Sequence, residues 1–310
     1  MSCISVVISI KKARRQFLNA LKFGFVHHSS DTPLKLGLYV ISVPIGNLQD
    51  ITLRALETLK SLKKIYCEDT RVTRKLLSLY QIDPPILIRC DDHTQGSVTD
   101  SIKEDIHNGL AVGLISDAGT PLISDPGYVI ISQLRTAKMP IYPIIGACAG
   151  IAALSVSGLP TTTFQFKGFV PKKQKQRLEI IDMIDKNPDT YIFYERPERI
   201  ASFLSLFPEA MTQSLCFVAR EITKMHEEYQ FSTIFEMLQI LPNMTLKGEA
   251  VVIISNHNIS NQSEIDISAV VTQYLQAGKS PKDISRDADL LKHASRNQLY
   301  EIAQSLKNHD

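Results

Sequence analysis

Four short stretches of this 310-residue chain bring carboxylates, hydroxyls, glycines and cations close enough together to do chemistry. In Glu68-Asp69-Thr70-Arg71-Val72-Thr73-Arg74, two carboxylates precede hydroxyls and two arginines that share one face of a helical turn. A carboxylate can take the proton of a weakly acidic hydroxyl, and guanidinium groups can meet the phosphates of a nucleic acid. Arginine at a helix N-terminus opposes the dipole, although a capping box with solvated arginines explains the same residues. The stretch Ser116-Asp117-Ala118-Gly119-Thr120-Pro121-Leu122-Ile123-Ser124-Asp125-Pro126-Gly127 is a demanding loop for a mere connector. Asp117 can accept hydrogen bonds from a ligand amine or ribose, or lie beside a cationic sulfonium, whereas Asp125 reads as a helix cap. In Val43-Pro44-Ile45-Gly46-Asn47-Leu48-Gln49-Asp50, Gly46 lets backbone approach a ligand, or simply makes a turn. The absence of a G-x-G-x-x-G pattern disfavours a nicotinamide or flavin site. In Ile145-Gly146-Ala147-Cys148-Ala149-Gly150, small side chains permit a flat group such as adenine to lie on backbone, and close helix packing accounts for them equally well.

The elements that must position these stretches alternate. Apolar runs at residues 38–42, 65–67, 112–115 and 141–144 read as strands, and helical periodicity covers 51–62, 70–79 and 146–157. Asp50 is placed to cap the first helix, with Leu53, Leu56, Leu59 and Leu62 on its buried stripe, and Asp69 or Thr70 opens the second. A further helix is expected from Asp125-Pro126, with proline at its first position. This is an open α/β sheet, with chemistry at the carboxyl ends of its strands. Gly158-Leu159-Pro160 marks a boundary, after which strands at 164–169, 190–194, 215–219 and 250–255 and a helix after Pro197 make a second α/β domain of more antiparallel character. Helical patterns at 265–275, 280–288 and 297–307 suggest a small helical module. The expected organisation is an extension at 1–36, α/β domains at 37–157 and 158–256, and a helical tail at 257–310.

A net charge of +2 does not by itself argue for nucleic acid, but its distribution is uneven. One basic run holds Lys11, Lys12, Arg14, Arg15 and Lys22, and another holds Lys167, Lys172, Lys173, Lys175 and Arg177. Five scattered cysteines without a CxxC spacing argue against a disulfide framework or structural zinc and suit a reducing cytoplasm. Nothing reads as a membrane span, and residues 4–25 lack the order of a signal peptide.

The motifs together resemble the ribosomal RNA small subunit methyltransferase I family. The resemblance is carried by Leu38 to Leu56, by Glu68-Asp69-Thr70-Arg71 with Thr73, and by Ser116-Asp117-Ala118-Gly119-Thr120-Pro121 with Ser124-Asp125-Pro126-Gly127. Gly158-Leu159-Pro160, Gly168-Phe169 with Pro171-Lys172-Lys173, Tyr194-Glu195 with Pro197 and Arg199, Ala219-Arg220-Glu221 with Thr223-Lys224, His226-Glu227-Glu228 and Lys247-Gly248-Glu249 extend it. It implies a two-domain class III fold of the tetrapyrrole methylase type, a cytoplasmic homodimer, and S-adenosylmethionine-dependent 2'-O-methylation of a cytidine in the decoding region of 16S rRNA. It further implies a cofactor site between the domains. Pro44, Ile45, Gly46, Leu48, Asp117, Gly119, Thr120, Cys148 and Ala149 would line it from the first; Phe166, Ala219, Gly248 and Glu249, with Arg220 near by, would approach from the second.

Methyl transfer of this kind is chiefly a matter of positioning and requires no metal. Asp69 or Glu68 is the expected proton acceptor, with Lys224 and His226 as alternatives. Arg71 is expected to hold the adjacent phosphate. Arg71, Arg74, Lys172, Lys173, Lys175 and Arg177 are the expected RNA contacts. The chain departs from the family pattern where Ile145-Gly146-Ala147-Cys148 replaces a Pro-Gly-Pro-Ser run, where Glu198 replaces a histidine, and at Arg89-Cys90-Asp91-Asp92-His93. The rival readings are a same-fold enzyme acting on a small molecule such as a porphyrinoid, and an RNA-binding assembly protein with weakened activity.

Overall fold

The computed structural model describes residues 33–91, 94–245, 247–256, 267–287, 290–292 and 294–307. The basic stretch before residue 33, and Asp92 and His93, lie outside them. The chain forms two compact units, Met1–Cys148 and Ala149–Asp310.

The first unit is built on five parallel strands, β1 (Gly37–Ile41), β2 (Lys64–Cys67), β3 (Ile86–Arg89), β4 (Ala111–Ile115) and β5 (Ile141–Ile144), in the order β3-β2-β4-β1-β5. Side chains alternate across the sheet with period two. Tyr39, Ile41, Ile65, Cys67 and Ile115 pack with Ala55 and Leu59 of α1 (Leu53–Ser61) and Leu77 of α2 (Thr70–Leu79). Leu38, Tyr66, Val112 and Leu114 face the other way, onto α3 (Gln95–His107) and α4 (Tyr128–Thr136). Both faces are thus covered, as parallel sheets require, and every strand ends at the same edge.

Three expectations need correction here. Thr52, not Asp50, caps α1, its side chain accepting from Ala55 N–H, and Asp50 belongs to a short 3-10 turn, Leu48–Asp50. Leu53 is 79% exposed, so the buried stripe of α1 begins at Ala55. Asp125 caps nothing: α4 starts at Tyr128 after Gly127, whose φ of +131° and buried N–H, donating to Gln95 Oε1 at 3.0 Å, set the entry of the chain.

The second unit opens with α5 (Ala149–Val156), shorter than the small-residue run implied. Its sheet contains β6 (Phe164–Phe169), β7 (Thr190–Glu195), β8 (Leu215–Arg220), β9 (Glu228–Thr233) and β10 (Ala250–Ser255) in the order β6-β7-β10-β8-β9. β6 and β7 are parallel; the other pairings are antiparallel, in line with the more antiparallel character expected of this domain. One face packs Tyr191, Phe193, Cys216, Val218, Val252 and Ile254 against α6 (Gln174–Lys186), α7 (Pro197–Leu204) and α8 (Ile234–Ile240). The tail helices α9 (Ile267–Gln276), α10 (Pro281–Ile284) and α11 (Arg296–Lys307) enclose their own core of Val271, Ile284, Leu290, Leu299 and Ala303. Among the described residues no helix is long and apolar enough to cross a membrane.

Candidate functional site

The parallel sheet delivers the four chemical stretches to one edge of the first unit. Beyond β1 and β4, Val43 and Gly119 pair reciprocally: Val43 N–H donates to Gly119 O at 2.8 Å and Gly119 N–H to Val43 O at 3.1 Å. Gly119 holds φ at +73°, a left-handed conformation that favours glycine. Ser42 Oγ and Thr120 Oγ1 share a 2.9 Å hydrogen bond, and Thr120 also donates to Ala147 O at 2.9 Å, drawing in the loop after β5. Thr52 Oγ1 donates to Ile145 O in that loop, and Arg54 donates to Pro143 O. Gly146 cannot be larger without movement, since a Cβ there would lie 2.8 Å from Ser42 Cβ. Around these ties Pro44 is buried, Ile45 half-buried, and Gly46, Leu48 and Ile145 are open to solvent. Cys148 is half-buried at the end of the β5 loop, and Ala149 begins α5 of the second unit.

A second set of two hydrogen bonds joins the ends of β2 and β4. Asp69 N–H donates to Asp117 Oδ1 at 3.1 Å, and Asp117 N–H donates to Glu68 Oε2 at 3.4 Å. Asp69 is the N-cap of α2, one of the two residues expected there, accepting Arg71 N–H at 2.8 Å. The Arg71 guanidinium also clasps it, Nη2 to Oδ2 at 2.6 Å and Nε to Oδ1 at 3.0 Å. These bonds hold the Asp69 carboxyl well below the usual carboxylate range, and they give the arginine at the helix start the anion its dipole position demands. Asp117, by contrast, is pushed up, first by loss of solvent and then by the neighbouring Asp69 charge, despite the N–H it accepts. Asp125 is raised to about 6 by burial, with Glu68 and Asp117 adding repulsion and a hydrogen bond to Ser116 opposing it. Arg71 and Arg74 are both exposed.

In the second unit, Ala219, Arg220, Glu249 and Ala250 meet where β8 ends and β10 begins, with Ala250 opposite both Glu195 and Arg220. Arg220 is buried and pairs with Glu228 at 3.1 Å while donating to the carbonyls of Lys247 and His226. Gly248, at φ +98°, has no room for a side chain, because Glu221 lies 2.5 Å from where a Cβ would stand. Lys224 bridges Glu221 at 2.8 Å and Glu249 at 2.9 Å. Burial works to lower its pKa, but the two carboxylates outweigh it and hold the ammonium charged, which speaks against Lys224 as a proton acceptor. Phe166 packs edge-on to Tyr194, whose hydroxyl accepts from Gly150 N–H at 3.1 Å. Of the expected RNA contacts on this unit, Lys172, Lys173 and Lys175 are exposed. Arg177 is half-buried, its Nε donating to Pro171 O at 2.7 Å.

Sequence reading gave no individual role to Ser42, Thr52 and Ser116, the hydroxyls that tie or tune these loops. Single serines and threonines at strand and helix ends carry no spacing signal, and only the fold shows what they reach. It also gave Asp125 a capping role; the proline after it imitated a helix start.

A family profile described as Tetrapyrrole (Corrin/Porphyrin) Methylases matches residues 37–238. Among similar proteins, the Ribosomal RNA small subunit methyltransferase I of Rickettsia prowazekii (strain Madrid E) is 38% identical over 276 residues, 88% of this chain and 98% of its own length. The protein of the same name from Haemophilus influenzae is 40% identical over 272 residues, covering 86% and 95%. Of solved structures, that of diphthine synthase aligns with a TM-score of 0.55 over 70% of this chain and 89% of its own at 12% identity, a likeness of fold alone.

Proposed function

The chain belongs to the tetrapyrrole methylase family, and from that premise we propose that it transfers the methyl group of S-adenosylmethionine to the ribose 2'-hydroxyl of a cytidine in small-subunit ribosomal RNA. The observation that carries the methyl-donor part is the joining of four strand-end loops by the Val43–Gly119 and Asp69–Asp117 pairs and the Thr120–Ala147 hydrogen bond. The residues fit such a donor: exposed Leu48 and Ile145 offer apolar surface to a flat ring, and the exposed Asp117 carboxylate suits ribose hydroxyls or a positive sulfur. The Pro44 to Leu48 turn, open to solvent at Gly46 and Leu48, and the half-buried Thr120 beside Gly119 would hold it from the first unit. When bound, the donor supplies an electrophilic methyl carbon, and the protein's work is to orient it and receive a proton.

Support for an RNA acceptor comes from the names of the relatives, which match this chain over nearly their whole length, and from the exposed cations Arg74, Lys172, Lys173 and Lys175. Glu68 is favoured over Asp69 as the group that accepts the hydroxyl proton. Both Asp69 oxygens are engaged by Arg71, which makes that carboxylate a weak base. Asp69 then serves to fix Arg71 at the start of α2, where it can meet a phosphate.

The test is transfer of labelled methyl from S-adenosylmethionine to small ribosomal subunits that lack the modification, followed by mapping of the labelled nucleotide. Label at a cytidine 2'-oxygen is the expected result. Label on a base, or no label with a small-molecule acceptor methylated instead, overturns the reading.

A further inference from the structure

A cavity of about 700 Å³ in the second unit is walled by Phe169, Lys172, Arg177, Glu195, Arg196 and Arg199. Its origin is topological. β6 and β7 are adjacent and parallel, Phe169 stands opposite Tyr194, and Val170 N–H donates to Tyr194 O at 3.2 Å. The Pro171-Lys172-Lys173 loop and the Arg196-Pro197 turn therefore leave the sheet side by side. Pro197, at the start of α7, fixes the second of them.

Four cations against one carboxylate leave the wall with three net positive charges. The carboxylate organises the arginines. Glu195 has a side chain 1% exposed, and its Oε1 accepts Arg196 N–H at 2.8 Å and lies 3.3 Å from Arg199 Nη1. Among the described residues Glu195 Oε2 and Arg199 Nη2 are buried side-chain atoms without a hydrogen-bond partner, and both belong to this wall. A guanidinium fork with one arm fixed and the other empty is disposed to meet an oxyanion. Neither Lys172 nor Arg196 has an ion-pair partner among the described residues. At the rim Phe169 is 59% exposed, its ring set at 73° to Tyr194 with centroids 5.8 Å apart. An open aromatic face beside a cluster of cations is the combination that binds a base and its phosphate together. An acidic peptide would use the charges but not the ring.

We propose that this cavity binds one nucleotide of a single-stranded RNA segment, its phosphate held by Lys172, Arg196 and Arg199 and its base stacked on Phe169, with Glu195 as the positioning residue for the two arginines. The proposal rests on the RNA reading above and adds to it a defined pocket, in which Lys172 is the one member of the row of exposed lysines.

The experiment is fluorescence polarisation of the full chain with a short labelled single-stranded RNA across a salt series, for the unmodified protein, Arg196→Ala, Arg196→Ala with Arg199→Ala, and Phe169→Leu. The double arginine variant should bind about tenfold or more weakly, and loss of the one phosphate contact should flatten the plot of log affinity against log salt by up to about 0.7. Phe169→Leu should also weaken binding about tenfold, within the range for one base stack, but leave the salt slope unchanged. Calorimetric titration with S-adenosylmethionine checks each variant for folding. Should the double variant fail it, Arg196→Ala, at an exposed position, carries the charge test alone. Unmodified affinity and slope in the arginine variants, or affinity indifferent to Phe169, overturns the pocket. So does displacement of RNA by polyglutamate at equal charge, which would make the surface one for acidic polypeptide. If the variants bind RNA normally while ribosomal RNA is still methylated, the pocket falls and the function stands; if the unmodified protein binds no RNA at all, both fall.

Discussion

Replacing Gly119 by alanine probes the joint on which the proposed donor site depends. Two costs follow from the geometry. At φ +73° an L-residue pays about 1–2 kcal/mol for the left-handed conformation. The new Cβ would also stand 3.3 Å from Ile45 Cγ2 and 3.7 Å from Ala147 O, a tight fit that Ile45 must relieve by shifting. Together these amount to about 2 kcal/mol, or roughly 6 °C in the melting temperature of a unit this size. Alternatively the turn relaxes and breaks the Val43 pairing, in which case stability is partly kept and the donor site is distorted. Either way S-adenosylmethionine should bind about five- to tenfold more weakly, since about 1.4 kcal/mol is a factor of ten. Asparagine, which tolerates this backbone region better, should fall between glycine and alanine. Thermal melting by circular dichroism and calorimetric titration read the two effects. An alanine variant that melts within a degree of the unmodified protein and keeps its cofactor affinity refutes the reasoning.

Glu68→Gln should lower methyl transfer by about 10²–10⁴ with little change in cofactor affinity, and Asp69→Asn by less, measured as single-turnover rates; the reverse order would return the acceptor role to Asp69. Asp125 has its pKa raised on folding from 3.8 to about 6, so its contribution to stability is complete below about pH 4 and is lost as pH rises through 6. The melting temperature of the unmodified protein relative to Asp125→Asn should therefore fall between those limits, and a constant difference contradicts the assignment. Asp105 accepts Tyr66 Oη at 2.6 Å and Lys64 Nζ at 2.5 Å in the first unit; Asp105→Ala strands both partners and should cost about 3 kcal/mol in urea denaturation.

Much of the first unit was legible because its buried parallel strands are continuous apolar runs and its loops carry glycine, proline and aspartate at their turns. The segment 86–107 was not. β3 is an edge strand, half-buried at best, and α3 places Gln95, Thr99 and Asp105 on its buried side without a side-chain cap at its start, so polar residues break the helical pattern. β9 is likewise an edge strand that alternates in and out of solvent and is followed directly by α8, leaving no loop to mark it. At the candidate site, the identities Glu68, Asp69, Asp117 and Gly119 could be chosen from sequence. Their division of labour could not, because it rests on Arg71 folding back onto Asp69 and on the burial of Asp125.

The most direct test of the donor site is a calorimetric titration of the full chain with S-adenosylmethionine, run in parallel on Gly119→Ala. One saturable site per chain, weakened in the variant, is the expected result. A titration without saturable heat, or a site of equal affinity in both proteins, contradicts the account.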